Sequence, residues 1–174
     1  IQVCPKKIEL HTKNEKELDI TNFELSKKII NKIKPNFIIN TAAYTDVDKA
    51  EENKETVKRI NCDAVYNLAI ISKKINCCLI HFSTDYVFDG KKSSPYNEKD
   101  LTKPLSVYGK SKLEGENKIC ETLQKYYIFR ISWLFSNENN NFILKILNSS
   151  QSKNHLKVVS DQIGQPLYAI ELSK

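Results

Sequence analysis

Methionine is missing from all 174 residues, and glycine occurs only four times, at Gly90, Gly109, Gly115 and Gly164. Without methionine, Ile1 is not an unprocessed translation start, and the chain is expected to be a fragment of a longer protein. None of the four glycines can build a glycine-rich phosphate-binding turn. No apolar run approaches the ~20 residues of a bilayer span. The N-terminal "IQVCPKKIELHTK" lacks the apolar centre of a secretory signal. The cysteines Cys4, Cys62, Cys77, Cys78 and Cys120 are odd in number and show no C-x-x-C or zinc-type spacing, and His11, His81 and His155 lie far apart. A reduced, cytoplasmic protein without a structural metal is therefore expected. The net charge of +6 comes from lysines scattered among asparagines, with no basic cluster interleaved with aromatics, so nucleic acid is not an expected partner. What remains is an ordinary soluble composition, 40% hydrophobic and 28% charged, on a chain long enough for one real core.

Periodicity divides the chain into alternating segments. Residues 8–12 read as a short strand. Residues 23–34 carry Phe23, Ile29, Ile30 and Ile33 at helical spacing, and Pro35 ends that helix. "NFIIN" reads as a buried strand, short, β-branched and apolar. Residues 48–76 read as a helix with Val57, Ile60, Ala64, Leu68 and Ile71 on one side and room for a kink or break. "CCLIHFS" is the next buried strand. Residues 89–105, with Gly90, Ser93, Ser94, Pro95 and Pro104, form a loop. Residues 107–124 are helical, "YYIFRISWLF" is a third strand, residues 141–148 a helix and "LKVVSD" a strand. Strands separated by helices predict an α/β fold with a parallel sheet covered on both faces. Ligands of such sheets bind beyond the carboxyl ends of the strands. Here "FIIN" runs into Thr41-Ala42-Ala43-Tyr44-Thr45-Asp46, "CCLIHF" into Ser83-Thr84-Asp85, and "YYIFRIS" into Trp133.

Beyond the second strand, Tyr108 and Lys112 stand four residues apart and share a helix face. A free tyrosine, with a pKa of about 10, is a poor acid near neutrality. A lysine cation beside it favours the phenolate and lowers that pKa. A hydroxyl from Ser83 or Thr84 can hydrogen-bond a substrate carbonyl. Together these groups suit ketone reduction: hydride arrives at carbon, the hydroxyl holds the oxygen, and Tyr108 delivers the proton. Y-x-x-x-K alone is a weak signal, and for most chance occurrences a surface helix whose tyrosine packs and whose lysine is solvated is the better reading. The Ser-Thr ending of the preceding strand favours the functional reading.

Five stretches, "NTAAYTDVDKAEEN", "HFSTDYVFDG", "PLSVYGKSKLEGE", "FRISWLF" and "DQIGQP", occur in that order. Together they closely resemble the dTDP-4-dehydrorhamnose reductase family of extended short-chain dehydrogenase/reductases, from about Asp19 to about Pro166. The resemblance implies reduction of the 4-keto group of dTDP-6-deoxy-L-lyxo-4-hexulose to dTDP-L-rhamnose, with NADPH or NADH as cofactor. Thr84, Tyr108 and Lys112 match the family's catalytic positions, and Lys112 also the contact to the nicotinamide ribose. Asp19 and Ile20 match the pair beside the adenine, and Ala43, Tyr44 and Thr45 the loop along the cofactor. Thr84 and Asp85 match substrate contacts, and Trp133 a side chain near the sugar. Magnesium (Mg2+) is associated with the family, although no secure metal site is visible. A nucleotide-sugar substrate, no membrane partner and a homodimer are compatible with it. Plainer readings stand beside several residues. Asp19 suits a cap for the helix beginning near Thr21 or Asn22, and Trp133 suits a core. Asp46 and Asp48 suit a turn and helix N-terminus, and Glu51, Glu52 and Glu55 a solvated face.

The resemblance further implies a partial NAD(P)-binding Rossmann-type domain over residues 1–135. Residues 136–174 would hold its remainder and the start of a truncated substrate-binding region. The family's G-x-x-G-x-x-G turn, with its strand and helix, would lie before residue 1, and Leu167 stands where the family has threonine. The isolated chain is therefore expected neither to bind the cofactor at micromolar levels nor to reduce the sugar. Two other readings remain open. One is a non-catalytic subunit on the same fold, like the regulatory β subunit of methionine adenosyltransferase. The other is a different nucleotide-sugar reductase or epimerase.

Overall fold

Helix α1 (Phe23–Ile33) starts where Asn22 Oδ1 accepts the Leu25 N–H and stops where Lys34 turns left-handed at φ 51°, in a computed structural model that describes residues 4–137 and 141–174. Such a stop satisfies a terminal carbonyl: the Lys34 N–H bonds to Ile30 O. The chain falls into two compact units, Thr12–Arg130 and the segment Ile131–Lys174 together with the N-terminal residues through His11.

The first unit is a Rossmann-like α/β arrangement. Strand β1 (Phe37–Asn40) pairs in parallel with β2 (Cys78–Thr84), setting Phe37 beside Cys78 and Asn40 beside His81. Strand β3 (Tyr126–Ile131) completes the order β1-β2-β3. The stretch 48–76 is broken into α2 (Val47–Ala50), α3 (Lys54–Lys58), a π-helical turn Arg59–Asp63 and α4 (Ala64–Lys74). At the first break Asn53 leaves helical geometry at φ −111° and ψ 38°, and its Nδ2 and its backbone N–H both donate to Lys49 O, at 2.8 and 3.1 Å. Helix α5 (Val107–Thr122) connects β2 to β3.

The alternation along each strand decides what is buried. Leu79 packs with Val65 and Ala69 of α4 and Ile119 of α5, together with Ile38 and Ile128. Ile30 of α1 packs on Leu68 and Ile71 of α4. Phe37, Ile39, Tyr127 and Phe129 occupy the alternate strand positions and are exposed. None of the described helices is long and apolar enough to cross a membrane.

The second unit pairs β4 (Leu134–Phe135) in parallel with β5 (Leu167–Tyr168) and carries α6 (Phe142–Ser150) and α7 (Ala169–Leu172). Two expected strands do not form. At residues 8–12 the Ile8 N–H closes a turn onto Pro5 O, and Ile8 and Leu10 stay exposed. In "LKVVSD" both Val158 and Val159 are exposed, and β5 forms further on. A strand needs a neighbour's ladder as well as β-branched residues, and neither segment has one among the described residues. "YYIFRISWLF" is two strands, interrupted at Trp133, which sits at φ 44°.

Candidate active site

Strand β2 ends in a turn built by its own last residue. Thr84 Oγ1 accepts the Tyr86 N–H at 3.2 Å and donates to Asp85 Oδ1 at 3.1 Å, opening the 3₁₀ turn Asp85–Val87. The first turn of α5 lies directly against it, since a Cβ at Gly109 would collide with the Tyr86 carbonyl oxygen. Two acceptors hold that helix start. Ser106 Oγ accepts the Gly109 N–H at 3.1 Å, and Glu51 Oε1 accepts the Val107 N–H at 2.8 Å. Glu51 is thus more than a solvated residue: it ties the end of α2 to the start of α5. Tyr108 is consequently buried, edge-on to the Tyr86 ring at 5.7 Å.

The charge balance at Tyr108 differs from the sequence expectation. Burial pushes the phenol above its usual range, the Thr84 hydroxyl bonded to it pulls down, and Asp85 and Tyr86 push further up. The expected lowering by lysine is absent because the amino group is engaged elsewhere. Lys112 Nζ donates to Phe82 O at 2.6 Å and lies 3.4 Å from His81 Nε2. Nor is Lys112 solvated: it is 2% exposed, and burial lowers its pKa to about 8 against the pull of Glu116. Burial likewise raises Asp85. Of the two candidate hydroxyls, Ser83 donates to Glu116 Oε1, and Glu116 is bonded to Arg130 at 2.6 Å. Thr84 is the one beside the phenol.

Asn61, which the sequence reading missed, joins the cofactor-loop candidates to α5. Its Oδ1 accepts the Tyr44 N–H at 2.8 Å, and its Nδ2 donates to Tyr44 O at 3.1 Å and Ser111 Oγ at 3.0 Å. The available signal was a polar residue on an apolar stripe, four after Val57 and seven before Leu68. The π turn brings Asn61 O so close to α5 that only glycine fits at position 115. Gly115→Ala is expected to lower unfolding free energy by about 1–3 kcal/mol, the usual cost of overpacking, in urea titrations. An unchanged midpoint would mean that the helices part freely.

Ala43, Tyr44 and Thr45 line an open pocket of ≈ 400 Å³ with Glu15, Asp46, Lys49 and Ile60. A pocket of ≈ 420 Å³ in the second unit, lined in part by Lys153, His155 and Lys157, holds none of the sequence-selected residues. Asp19 accepts from Thr21 N–H at 2.8 Å and Thr21 Oγ1 at 2.7 Å, which lowers its pKa; the helix cap is Asn22. Ile20 packs against the α1–α4 cluster. Asp46 caps α2 through the Lys49 N–H, and Asp48 lies in its first turn. Trp133, in the second unit, is 39% exposed rather than core, and its indole covers Gly164 and meets Phe142 at 5.5 Å. A bulky residue at positive φ is uncommon and marks a constrained position.

Among the described residues no three His, Cys, Asp or Glu side chains converge as metal ligands, so no residue is assigned to magnesium. All five cysteines are free, and burial pushes Cys62 up to about 12 and Cys77 to about 11, which leaves both as poor nucleophiles.

His81 carries a pH signature. Burial, with Lys112 adding to it, lowers its pKa to about 3. The unfolded chain takes up that proton near pH 6.5. Between the two values the unfolded state binds more protons, so stability falls as pH drops through this window. Denaturant titrations should therefore lose stability already between about pH 6.5 and 5, before most carboxylates titrate. A flat profile there would contradict a neutral, buried His81.

A family model described as RmlD substrate binding domain matches residues 2–174. The dTDP-4-dehydrorhamnose reductase of Aggregatibacter actinomycetemcomitans is 45% identical over 157 residues, covering 90% of this chain and 53% of that protein. The crystal structure of dTDP-4-dehydrorhamnose reductase from Bacillus anthracis in complex with NADP superposes with a TM-score of 0.95 at 36% identity, over 98% of this chain and 61% of that one. A Clostridium acetobutylicum dTDP-4-dehydrorhamnose reductase gives a TM-score of 0.95 at 41% identity, over 99% and 61%. The chain spans about half the length of the curated relatives it matches.

Proposed function

Because the chain belongs to the RmlD substrate binding domain family, we propose that it forms part of an oxidoreductase that reduces the 4-keto group of dTDP-6-deoxy-L-lyxo-4-hexulose to dTDP-L-rhamnose. The observation that carries this reading is the buried set at the end of β2: the Thr84 hydroxyl beside the Tyr108 phenol, with Lys112 one turn along α5. A reduced nicotinamide, NADPH or NADH, supplies the hydride when bound. Ala43, Tyr44 and Thr45 border an open groove suited to one arm of such a ligand, with Asp19 and Ile20 assigned to the adenine end by resemblance. Thr84 orients the ketone oxygen, and Tyr108 gives that oxygen its proton as the carbon becomes a carbinol. The phenolate left behind regains a proton through Lys112. Asp85 and, in the second unit, Trp133 are assigned to the nucleotide-sugar substrate by resemblance alone. Five free thiols support a reducing compartment such as the cytoplasm. The resemblance extends to a homodimer, which sedimentation would read directly.

The test is oxidation of NADPH or NADH by the full-length protein, with the keto sugar as acceptor and dTDP-L-rhamnose identified by mass. Turnover dependent on the sugar is expected. Cofactor binding without turnover of the sugar would sink the reading and favour a non-catalytic subunit.

A further inference from the structure

Behind Lys112 lies a buried line of polar groups to which the proposed reduction gives no part. Asn40 ends β1, and His81 stands beside it on β2. The Ala42 N–H, which can only donate, bonds to Asn40 Oδ1 at 3.1 Å. That fixes the amide's orientation and turns Nδ2 toward His81 Nδ1 at 3.2 Å. Nδ2 is a donor, so Nδ1 accepts. A neutral imidazole has one ring proton, and it is then on Nε2. Nε2 lies 3.4 Å from Lys112 Nζ, whose other neighbour is Phe82 O at 2.6 Å. An ammonium has three donors and no acceptor, whereas an amine has two donors and a lone pair. Only the amine satisfies both neighbours, accepting from His81 Nε2 and donating to Phe82 O.

We propose that Asn40 and His81 are positioning residues for Lys112: Asn40 holds His81 as the Nε2–H tautomer, and that N–H stabilises the amine Lys112 becomes when it gives up its proton. The inference rests on the reductase reading for the use made of that proton. Once Tyr108 has protonated the substrate oxygen, the phenolate is reprotonated at the expense of the Lys112 ammonium through an intervening hydroxyl or water, since the amino group itself is bonded to Phe82 O rather than to the phenol. Phenol and amine result, and solvent later returns the ammonium. A lysine that holds its proton loosely drives this transfer toward the phenol, whose own hold is strengthened by burial. The other groups facing Lys112 are accounted for. Glu116, one turn further along α5, draws it toward the charged form and is itself bonded by Arg130 of β3. Tyr108 stands one turn back on the same helix. Strand β1 contributes Asn40, and β2 contributes His81 and the Phe82 carbonyl.

The test is NMR on the full chain, with 15N-labelled histidine and 13C-labelled lysine, Lys112 being assigned by Lys112→Met. The His81 proton is expected on Nε2 across about pH 5–8. Lys112 is expected to bind its proton at least about tenfold more weakly than a free lysine. Asn40→Asp replaces the donor amide by an acceptor, so the His81 proton should move to Nδ1 and Lys112 should regain at least about tenfold in proton affinity. Thr41→Asp adds the same charge at a neighbouring exposed position. If it shifts Lys112 as far as Asn40→Asp does, the effect is charge alone and the proposal fails. An Nδ1–H tautomer in the parent chain, or a Lys112 that titrates like free lysine, also overturns it. These two parent-chain readings decide even where Asn40→Asp does not fold. They need no substrate, so an inactive protein would sink the reductase reading and leave them standing.

Discussion

In the full-length protein, if the proposed reductase reading holds, Tyr108→Phe is expected to lower turnover of the keto sugar by at least ~10²-fold, the scale on which a positioned general acid contributes. The ring's setting makes the variant clean. Phenylalanine keeps the edge-on contact with Tyr86 and the packing against Ala50 and Val57. It removes only the hydroxyl beside Thr84, so the loss should fall on turnover and leave cofactor affinity and the unfolding midpoint nearly unchanged. The pH profile adds a second reading. Burial holds the phenol above its usual range, so it stays protonated through neutrality. Lys112 instead titrates at about 8. Turnover should therefore decline above about pH 8 as the ammonium that refills the phenol is lost, and Lys112→Met should abolish that limb and weaken cofactor binding. Steady-state rates from pH 6 to 10 would check both. A Tyr108→Phe enzyme with near-normal turnover removes Tyr108 from the role of acid.

The buried stripe of α5 explains why some of this site was legible and some was not. Tyr108 and Lys112 were singled out as candidates by their spacing and the strand ending before them. Their environment was hidden, because the stripe runs through Tyr108, Ser111, Lys112, Gly115, Glu116 and Ile119. By side-chain polarity half of those positions, Ser111, Lys112 and Glu116, belong in water. The stripe is interior because Phe82 O and His81 engage the lysine, Arg130 and Ser83 engage the glutamate, and the glycine admits the Asn61 carbonyl. Each partner comes from another element, and a periodicity reading of one helix cannot supply it. The same holds for the sign of the Tyr108 shift, which depends on where the lysine amine points rather than on its being four residues away. Local signals fared better. Pro35 and the β-branched runs placed α1, β1 and β2 within a residue or two. Residues 8–12 and "LKVVSD" had strand-like composition but lacked the neighbour that would make them strands.

Arg130→Ala is expected to cost roughly 3–5 kcal/mol of unfolding free energy, the penalty for leaving a buried carboxylate without its cation. The geometry is that of a strong pair. Arg130 Nε donates to Glu116 Oε1 and Oε2 at 3.1 and 3.2 Å, and its terminal nitrogen donates to Oε2 at 2.6 Å. The guanidinium also lies 5.1 Å from the Phe88 ring centre. The two partners are not equally placed. The Arg130 side chain is 24% exposed and that of Glu116 only 5%, so the penalty arises at the glutamate once it is left to Ser83 alone. Two consequences separate this account from simple loss of packing. Arg130→Met keeps most of the stem, yet should be nearly as unstable as Arg130→Ala. Adding Glu116→Leu to Arg130→Met should recover most of the loss, because a buried pair replaced by apolar groups of similar size is often neutral. Urea titrations of the parent chain, Arg130→Met, Glu116→Leu and the double variant give the coupling energy directly. A cost below about 1 kcal/mol for Arg130→Met would class the pair with solvent-exposed ion pairs. The stripe beneath Lys112 would then owe its position to the helix backbone and the glycine contact alone.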